Sequence, residues 1–469
     1  MPEEAVIRIN RFSGIDQSGD ETGMPIGASP DAQNMDCEGG TLQTAKGFAK
    51  YNTPQAPAAI RTLMKYFRRN LDGTVDSFLL CTTDTAVYAL STGGYWVAIA
   101  TDLNGGYFDY INYQKNWMDI LIFGNGEDNP MKWTGYEGAT NLGGSPPCFS
   151  QVCLHYERAW GSAIKSEPDR VYYSKAYDSE DWSTPGETGF IDIPTWNGGS
   201  IIALKTLFDN VVVFKDYDIY RVFGTYPGSY EVSRVHGITG PIAPRSIVQL
   251  GDVVYFLSAE GLCFFDGVRA RPVEDEKLKK FFQDLNRDYA KYACAVTAGG
   301  KLYLALPEGG AATCNNCVVE YDPRKGSYMI RRGFRVDTFL EYQGKLLFAN
   351  DTRYIYEYGQ GNTYDGEPIE SYWKTPYMDL GVKDIVKGLT ALYATAKGAG
   401  AGGGEGALLL GATSERGTKE KTFTLPTDEK SVRFSMKSRG RRMQLTFSNV
   451  NGSVFSLNTP EFHFELDQD

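Results

Sequence analysis

One short pattern recurs along the middle of this chain: an alternating apolar run that ends in an aromatic residue and a turn residue. It stands as TAVYAL, PMKWTG, RVYYS, DIYRVFG, GLCFFDG, VVEYDP and YIYEYG. Anchored on Val87, Lys132, Tyr172, Tyr220, Cys263, Glu320 and Tyr356, the copies lie 36 to 57 residues apart, a loose period of about 45. A second strand precedes each copy (SFLLCT, DILIFG, RAWGSA, NVVVFK, DVVYFL, KLYLAL, KLLFAN), across a polar turn such as GNGEDNP or KSEPD. Gly, Pro, Asn and Asp are the residues such reversals need. Upstream comes a third run, from AIRTLMKYF in the first copy to VDTFLEYQG in the last, and a weaker fourth often follows, as in YWVAIA and YEVSRV.

Seven copies of a three- or four-stranded unit restrict the fold severely. One such sheet cannot bury both of its apolar faces alone, so neighbours must pack radially and shield one another. The pattern predicts an all-β chain in which residues 59–380 form a β-propeller of about seven blades; the uneven spacing leaves six or eight open. Composition agrees: aromatics make up 13% of the chain, Tyr leads them with 30, and Gly reaches 52. Strands favour rings and turns favour glycine.

The longest interval contains PVEDEKLKKFFQDLNRDYAKYA. Its Leu278, Phe281, Phe282, Leu285, Tyr289 and Tyr292 recur at three- and four-residue steps, which predicts a helix around 275–292 inserted between the fifth and sixth blades. Leading acidic residues suit the positive end of its dipole. The stripe of Leu278, Phe281, Phe282 and Leu285 is the candidate domain interface, with a subunit interface as the alternative.

Two flanks stand outside the repeat. Residues 1–58 are polar and Gly-rich and read as an extended N-terminal arm, or as strands that complete something else. After Gly381 a new series begins: VKGLTALYATA, GALLLGATS, KTFTLP, SVRFSMK, RRMQLTFSNV and SVFSLNTPEFHFEL. It predicts a C-terminal β-sandwich or jelly-roll-like domain over 381–469, its first two strands divided by a flexible GAGAGGGEGA loop.

With 58 acidic against 47 basic residues the formal charge is −11. The chain therefore lacks the basic field of a tight nucleic-acid binder, although DNA could still pass without sticking. No apolar run follows a basic segment near the start, so no signal peptide is expected, and no stretch approaches the length of a transmembrane helix. Eight cysteines are spread through the chain, mostly in apolar runs, as expected of free thiols in a reducing cytoplasm. Cys314 and Cys317 form a CNNC without a second pair, and His155, His236 and His463 are too scattered to complete a zinc site. A turn is expected there, with a local disulfide as the alternative.

The stretch RAWGSAIKSEPDRVYYSKAYDSEDW (158–182) packs arginines, rings and carboxylates together in the manner of an active site. Its alternation places it instead in the middle strands of the third blade, with KSEPD as the reversal. Elsewhere there is no P-loop, no GxSxG, no HExxH and no dinucleotide fingerprint. SKAYDSEDW lacks the glycine and the spacing of a sialidase Asp-box. No catalytic, cofactor-binding or metal-ligating residue is assigned, and no cofactor is expected.

The arm carries a further signal. FSGIDQSGDETGMPIGASPDAQNMDCEGGTLQTAKGFAKY (12–51) resembles the start of many phage virion proteins, in which F-x-G is followed by SP, N-M, GG-x-L and KGF. The matching positions are Phe12 and Gly14; Ser29 and Pro30; Asn34 and Met35; Gly39, Gly40 and Leu42; and Lys46, Gly47 and Phe48. ERAW leading to RVYYS and DW is similar to a recurring phage-propeller stretch. The layout of arm, propeller and trailing β domain resembles the tail hub or nozzle proteins of short-tailed phages. That resemblance implies a non-enzymatic virion subunit, made in the bacterial cytoplasm, that shapes the DNA exit channel of a tail or neck. It implies a ring of six copies, contacts with other tail or neck proteins, and DNA passing without specific contacts during genome ejection. The arm and trailing domain are then expected to join neighbouring subunits. The alternative is a carbohydrate-binding or carbohydrate-cleaving receptor-binding propeller.

Overall fold

The computed structural model describes residues 3–20, 22–115, 118–194, 198–235, 240–273, 276–400 and 403–466. Between Thr62 and Arg332 six four-stranded antiparallel sheets succeed one another, each using four strands in chain order. Their first strands are Thr62–Arg69, Asp109–Lys115, Gln151–His155, Ile201–Leu207, Val248–Leu250 and Cys294–Ala298. A further sheet starts at Thr338–Tyr342. Second strands such as Met118–Gly124, Asn210–Lys215 and Val253–Ser258 are buried almost throughout rather than alternately. That is the consequence of covering both faces: each sheet has a neighbour on either side.

The junctions show this directly. Met64 and Tyr66 of the first sheet meet Leu121 and Trp133 of the second. Ile122 meets Val152 of the third, Trp160 meets Leu204 of the fourth, and Phe214 meets Phe256 of the fifth. Val318 of the sixth meets Phe348 of the last, and Leu340 and Leu347 of the last pack on Leu63 and Leu79 of the first. The series of sheets therefore closes on itself.

The last sheet takes its fourth strand from the other end of the chain. Phe48–Lys50 pairs antiparallel with Ile355–Tyr358, in the register Tyr356↔Lys50, Glu357↔Ala49 and Tyr358↔Phe48. The rest of the arm is used in the same way. Two C-terminal sheets, one of seven strands and one of five, share a single apolar cluster that includes Leu392, Phe462, Leu410 and Phe447. Glu3–Arg8 and Thr41–Thr44 both pair with Val454–Leu466, and Met35–Glu38 extends the same sheet. Ala32–Gln33 pairs with Tyr372–Lys374 at the border of the five-stranded sheet, so that short strand belongs with the C-terminal sheets although it lies before residue 381. The two strands around the Gly-rich loop end at Ala399 and begin at Gly406, and residues 401 and 402 of the loop lie outside the described residues.

The helix expected around 275–292 is much shorter. A 3-10 turn at Glu276–Leu278 leads into an α-helix of five residues, Lys279–Gln283, and a second 3-10 turn follows at Ala290–Tyr292. Residue 275 lies outside the described residues. Helical spacing marks the buried side, but the backbone leaves the helix because tertiary partners compete for it. Leu285 bridges to Glu308, the Asn286 N–H donates to the Pro307 carbonyl, and its side-chain amide donates to the Ala312 carbonyl at 2.8 Å. Among the described residues no helix is long and apolar enough to cross a membrane.

Candidate functional site

The stretch 158–182 is a hairpin. Arg158–Ser162 and Arg170–Tyr173 are adjacent strands, Trp160 lies opposite Tyr173, and Ile164 bridges to Glu167 across the turn. Arg158 and Trp160 are buried, and the Arg158 guanidinium donates to the Ser174 carbonyl at 2.8 Å. Asp169 receives the fully buried Lys215 ammonium at 2.5 Å. Arg170 is held by Asp192 at 2.7 Å and Glu167 at 2.5 Å, and stacks 3.8 Å from the Phe190 ring. Each charge is spent on a neighbour, which is how a scaffold uses them.

The other candidate chemistry is similarly dispersed. His155 is buried against Tyr156 and Trp160, where burial lowers its pKa, and its Nε2 has no hydrogen-bond partner among the described residues. His463 packs on Tyr393, and His236 lies outside the described residues. Cys314 and Cys317 are free thiols, and burial raises the pKa of Cys317. Among the described residues no group of His, Cys, Asp and Glu is placed to hold a metal. At one end of the ring, Arg245 ties the segments leading into four sheets. It donates to the carbonyls of Asp337 at 2.8 Å and Tyr292 at 2.9 Å, and lies 4.3 Å over the ring of Tyr107. Cross-links of this kind brace an axis.

What the structure does bring together is the arm motif. Its residues form a clasp where the arm, the sixth and seventh sheets and the C-terminal sheets meet. Phe12 is buried edge-on against Trp373 at 5.4 Å. Gly14 has φ +104, and a Cβ there would stand 2.9 Å from the Tyr328 carbonyl oxygen, so only glycine lets the arm run this close to the sixth sheet. The Ser29 hydroxyl donates to the Lys374 carbonyl at 2.7 Å, and Pro30 offers its carbonyl to Gln17.

Asn34 is the polar hub. Its amide donates to the carbonyls of Glu370 at 2.7 Å and Arg332 at 3.1 Å, while its oxygen accepts from the Arg332 N–H and the Tyr364 hydroxyl. One side chain thereby joins the arm to the sixth sheet, the seventh and the C-terminal unit. Met35 is buried, and Gly39 and Gly40, both at positive φ, turn the chain so that Leu42 is buried behind them. Gly47 passes so close to Thr363 that any Cβ would collide with its carbonyl. Phe48 then enters a nest of rings, 4.8 Å from Tyr364, 4.9 Å from Phe348 and 5.1 Å from both Phe334 and Tyr356. Of the motif residues only Gly39, at the tip of its turn, and Lys46 are exposed.

A buried charge network underlies the clasp. Arg331 of the sixth sheet, 2% exposed, donates to the Met35 carbonyl and pairs with Asp36 and, at 2.7 Å, with Glu320. Glu320 also receives Lys301. Burial alone would raise the Glu320 carboxyl, but the charges of Arg331 and Lys301 outweigh it and hold the pKa below the ordinary carboxylate value. Sequence reasoning missed this network, since Asp36 and Arg331 stand 295 residues apart and no local pattern couples them.

The predicted interface stripe lies in the same region. Leu278, Phe281, Phe282 and Leu285 are all buried within the chain, in the cluster that also holds Tyr255 and Leu257 of the fifth sheet and Leu302 and Tyr321 of the sixth. That cluster runs on without a break into the arm and the C-terminal sheets. The insertion thus fills the junction at which the C-terminal unit is fused to the ring.

No family model matches this chain, and no curated protein matches it in sequence. Among solved structures it is similar to BamB from Moraxella catarrhalis, 10% identical over 77% of this chain and 97% of that one, with a TM-score of 0.41. It is also similar to the Pan2 WD40 domain of Neurospora crassa, 8% identical over 68% and 96%, TM-score 0.42. A third is the computationally designed Ika8 protein, 10% identical over 67% and 100%, TM-score 0.40. Likenesses this remote carry nothing about activity or partners. The chain's own series of antiparallel sheets, closed last against first, makes it an all-β protein with a β-propeller.

Proposed function

We propose that this chain is a non-catalytic structural subunit of a bacteriophage virion, a tail hub, nozzle or neck ring protein that shapes the DNA exit channel. In this reading the propeller has seven blades, the last completed by Phe48–Lys50, and the two C-terminal sheets form a β-sandwich. The observation that carries it is the clasp. The positions that resemble phage virion proteins, from Phe12 to Phe48, are spent on fastening three parts of the chain, and only Gly39 and Lys46 among the motif residues are left exposed. A motif with that distribution encodes architecture rather than chemistry. The net charge of −11 supports the same reading, because DNA leaves a duct with few cationic side chains more readily.

The arm's motif residues are bonded within their own chain, so in a ring of six copies it is the arm's exposed residues and the C-terminal sheets that join neighbouring subunits. Two measurements test the proposal. Particle reconstruction, or immunogold labelling with antibody to this chain, is expected to place it in the tail or neck of a virion. Mass photometry of the purified chain is expected to give a closed oligomer. A chain absent from particles and monomeric at all concentrations would sink the proposal.

A further inference from the structure

One set of exposed apolar side chains recurs in step with the sheets of the propeller. In five consecutive sheets, the turn between the third and fourth strands carries one large apolar side chain that is 61 to 72% exposed: Tyr95, Tyr136, Tyr177, Tyr226 and Val268. They recur at intervals of 41 to 49 residues. Successive antiparallel strands reverse direction, so these turns all lie at one end of the ring. In the sixth sheet the equivalent turn carries Arg324 and Lys325 instead. The turns at 91–95, 134–139 and 224–230 consist largely of Ser, Thr, Gly and Tyr, with Glu137 as their single charge. Such a composition supplies rigid amphipathic rings and adaptable hydrogen bonding, as recognition loops do.

One of these rings borders a groove of about 890 Å³ that crosses the first sheet, from Gln343 of the last sheet to Tyr136 of the second. That volume lies in the range of ligand sites, roughly 300–1,000 Å³. Tyr136 is a prepared platform. The Arg68 guanidinium lies 3.9 Å beneath it and is itself fixed by Asp76 at 2.5 Å and by the ring of Phe78. Gly135, at φ +87, makes room for that arginine, since a Cβ there would come within 2.9 Å of its Nη1. One face of Tyr136 is thus held by a cation, and the rest of the ring is open to solvent. Lys345 in the wall is paired with Glu357 at 2.8 Å. Asn52, Thr92 and Gln343 line the groove, are exposed, and make no side-chain hydrogen bond among the described residues.

We propose that this groove binds a neutral oligosaccharide, an activity additional to the structural role above. A pyranose presents a face of C–H bonds, which stacks on the free face of Tyr136, and a rim of hydroxyls, which Asn52, Thr92 and Gln343 can both donate to and accept from. Pairing Arg68 and Lys345 within the wall removes the free cations that an acidic polymer or a nucleic acid requires. The interrupted apolar surface does not offer the continuous buried centre of a protein interface. The tyrosines of the neighbouring turns extend the contact around the rim for a longer chain.

The test is saturation-transfer NMR on the full chain with maltoheptaose, cellohexaose and chitohexaose, followed by calorimetry with each glycan that responds. At least one is expected to bind with Kd of about 1 mM or tighter. Tyr136→Ala is expected to weaken that binding by about tenfold or more, and Gln343→Ala by a smaller factor. Tyr217→Ala, in a turn at the opposite end of the ring, should leave it unchanged, with the circular dichroism of all three variants like that of the parent. The proposal is overturned if no glycan shows transfer, or if binding survives Tyr136→Ala. It is equally overturned if Tyr136→Ala abolishes a contact with another protein while no glycan binds. Mass photometry of Tyr136→Ala separates this site from the ring proposal, because loss of glycan binding is expected without loss of the oligomer.

Discussion

The two sides of the ring are built differently. From the first sheet to the fifth, neighbours meet mainly through apolar clusters such as Tyr66 with Trp133 and Phe214 with Phe256, with the buried Lys215–Asp169 pair between the third and fourth. Around the sixth and seventh sheets the contacts are specific: a buried Arg331 between Asp36 and Glu320, an asparagine bonded four ways, and glycines on which a Cβ would collide with backbone. Apolar packing tolerates exchange of one hydrophobic residue for another of similar volume. A polar clasp does not, because each unmatched donor or charge left behind is buried. The first side makes a ring from repetition; the second joins a ring to something that does not repeat.

Removing a ring from each side exposes the contrast most strongly. Phe48→Ala and Trp133→Ala are both expected to cost about 3–5 kcal/mol, since each empties a packed aromatic site. Their reach should differ. Loss of Phe48 undoes the strand that closes the last sheet and the end of the arm together, so hydrogen exchange is expected to rise in 355–358, 35–44 and 454–466. Loss of Trp133 should raise exchange only in the first two sheets. Equal, local effects for both would mean that the clasp is no more than another junction.

Next in size is the charge network. Glu320→Gln leaves the buried Arg331 and the half-buried Lys301 with Asp36 alone and is expected to lower stability by on the order of 3 kcal/mol, measured by denaturant unfolding. The same carboxyl gives the clasp a pH dependence. Because its folded pKa is lowered by Arg331 and Lys301, its contribution is complete above the unfolded value of about 4.3 and is lost as pH falls through the folded value. Protection of Met35–Glu38 relative to the intrinsic exchange rate is therefore expected to stay constant between about pH 7 and 5 and to fall below about pH 4, before that of Met118–Gly124 does. Simultaneous opening of both segments would remove the distinction.

How far these differences can be read in the residues themselves follows from the same physics. The series of sheets was legible because each strand's pattern is local and is repeated, and the strands of the C-terminal sheets because their alternation is long. The arm's motif was legible as a likeness, yet its partners were not: Phe48 meets Tyr356, and Asn34 meets Arg332, across some three hundred residues of chain. The insertion was misread in length, because three- and four-residue spacing records which side is buried and not whether the backbone stays helical. There Leu285 and Asn286 find partners in 307–312 instead. The row of exposed turn tyrosines was present in the repeat all along, but nothing in a strand pattern tells an exposed ring from a buried one.

Tyr136 gives the smallest expected effect, and a decisive one for the comparison. Its ring is 72% exposed and rests on Arg68, whose charge is already met by Asp76. Truncation to alanine removes little buried area and leaves no buried group unpaired, so stability is expected to stay within about 0.5 kcal/mol of the parent. If unfolding shows a loss of about 2 kcal/mol or more, the ring is part of how the first and second sheets hold together. The apolar side would then carry a further residue-specific fastening beside Lys215–Asp169, and a platform serving two purposes could not be assigned to recognition by mutation alone. If stability is unchanged, the side of the ring that packs mainly through apolar clusters is also the side left free to display exposed rings.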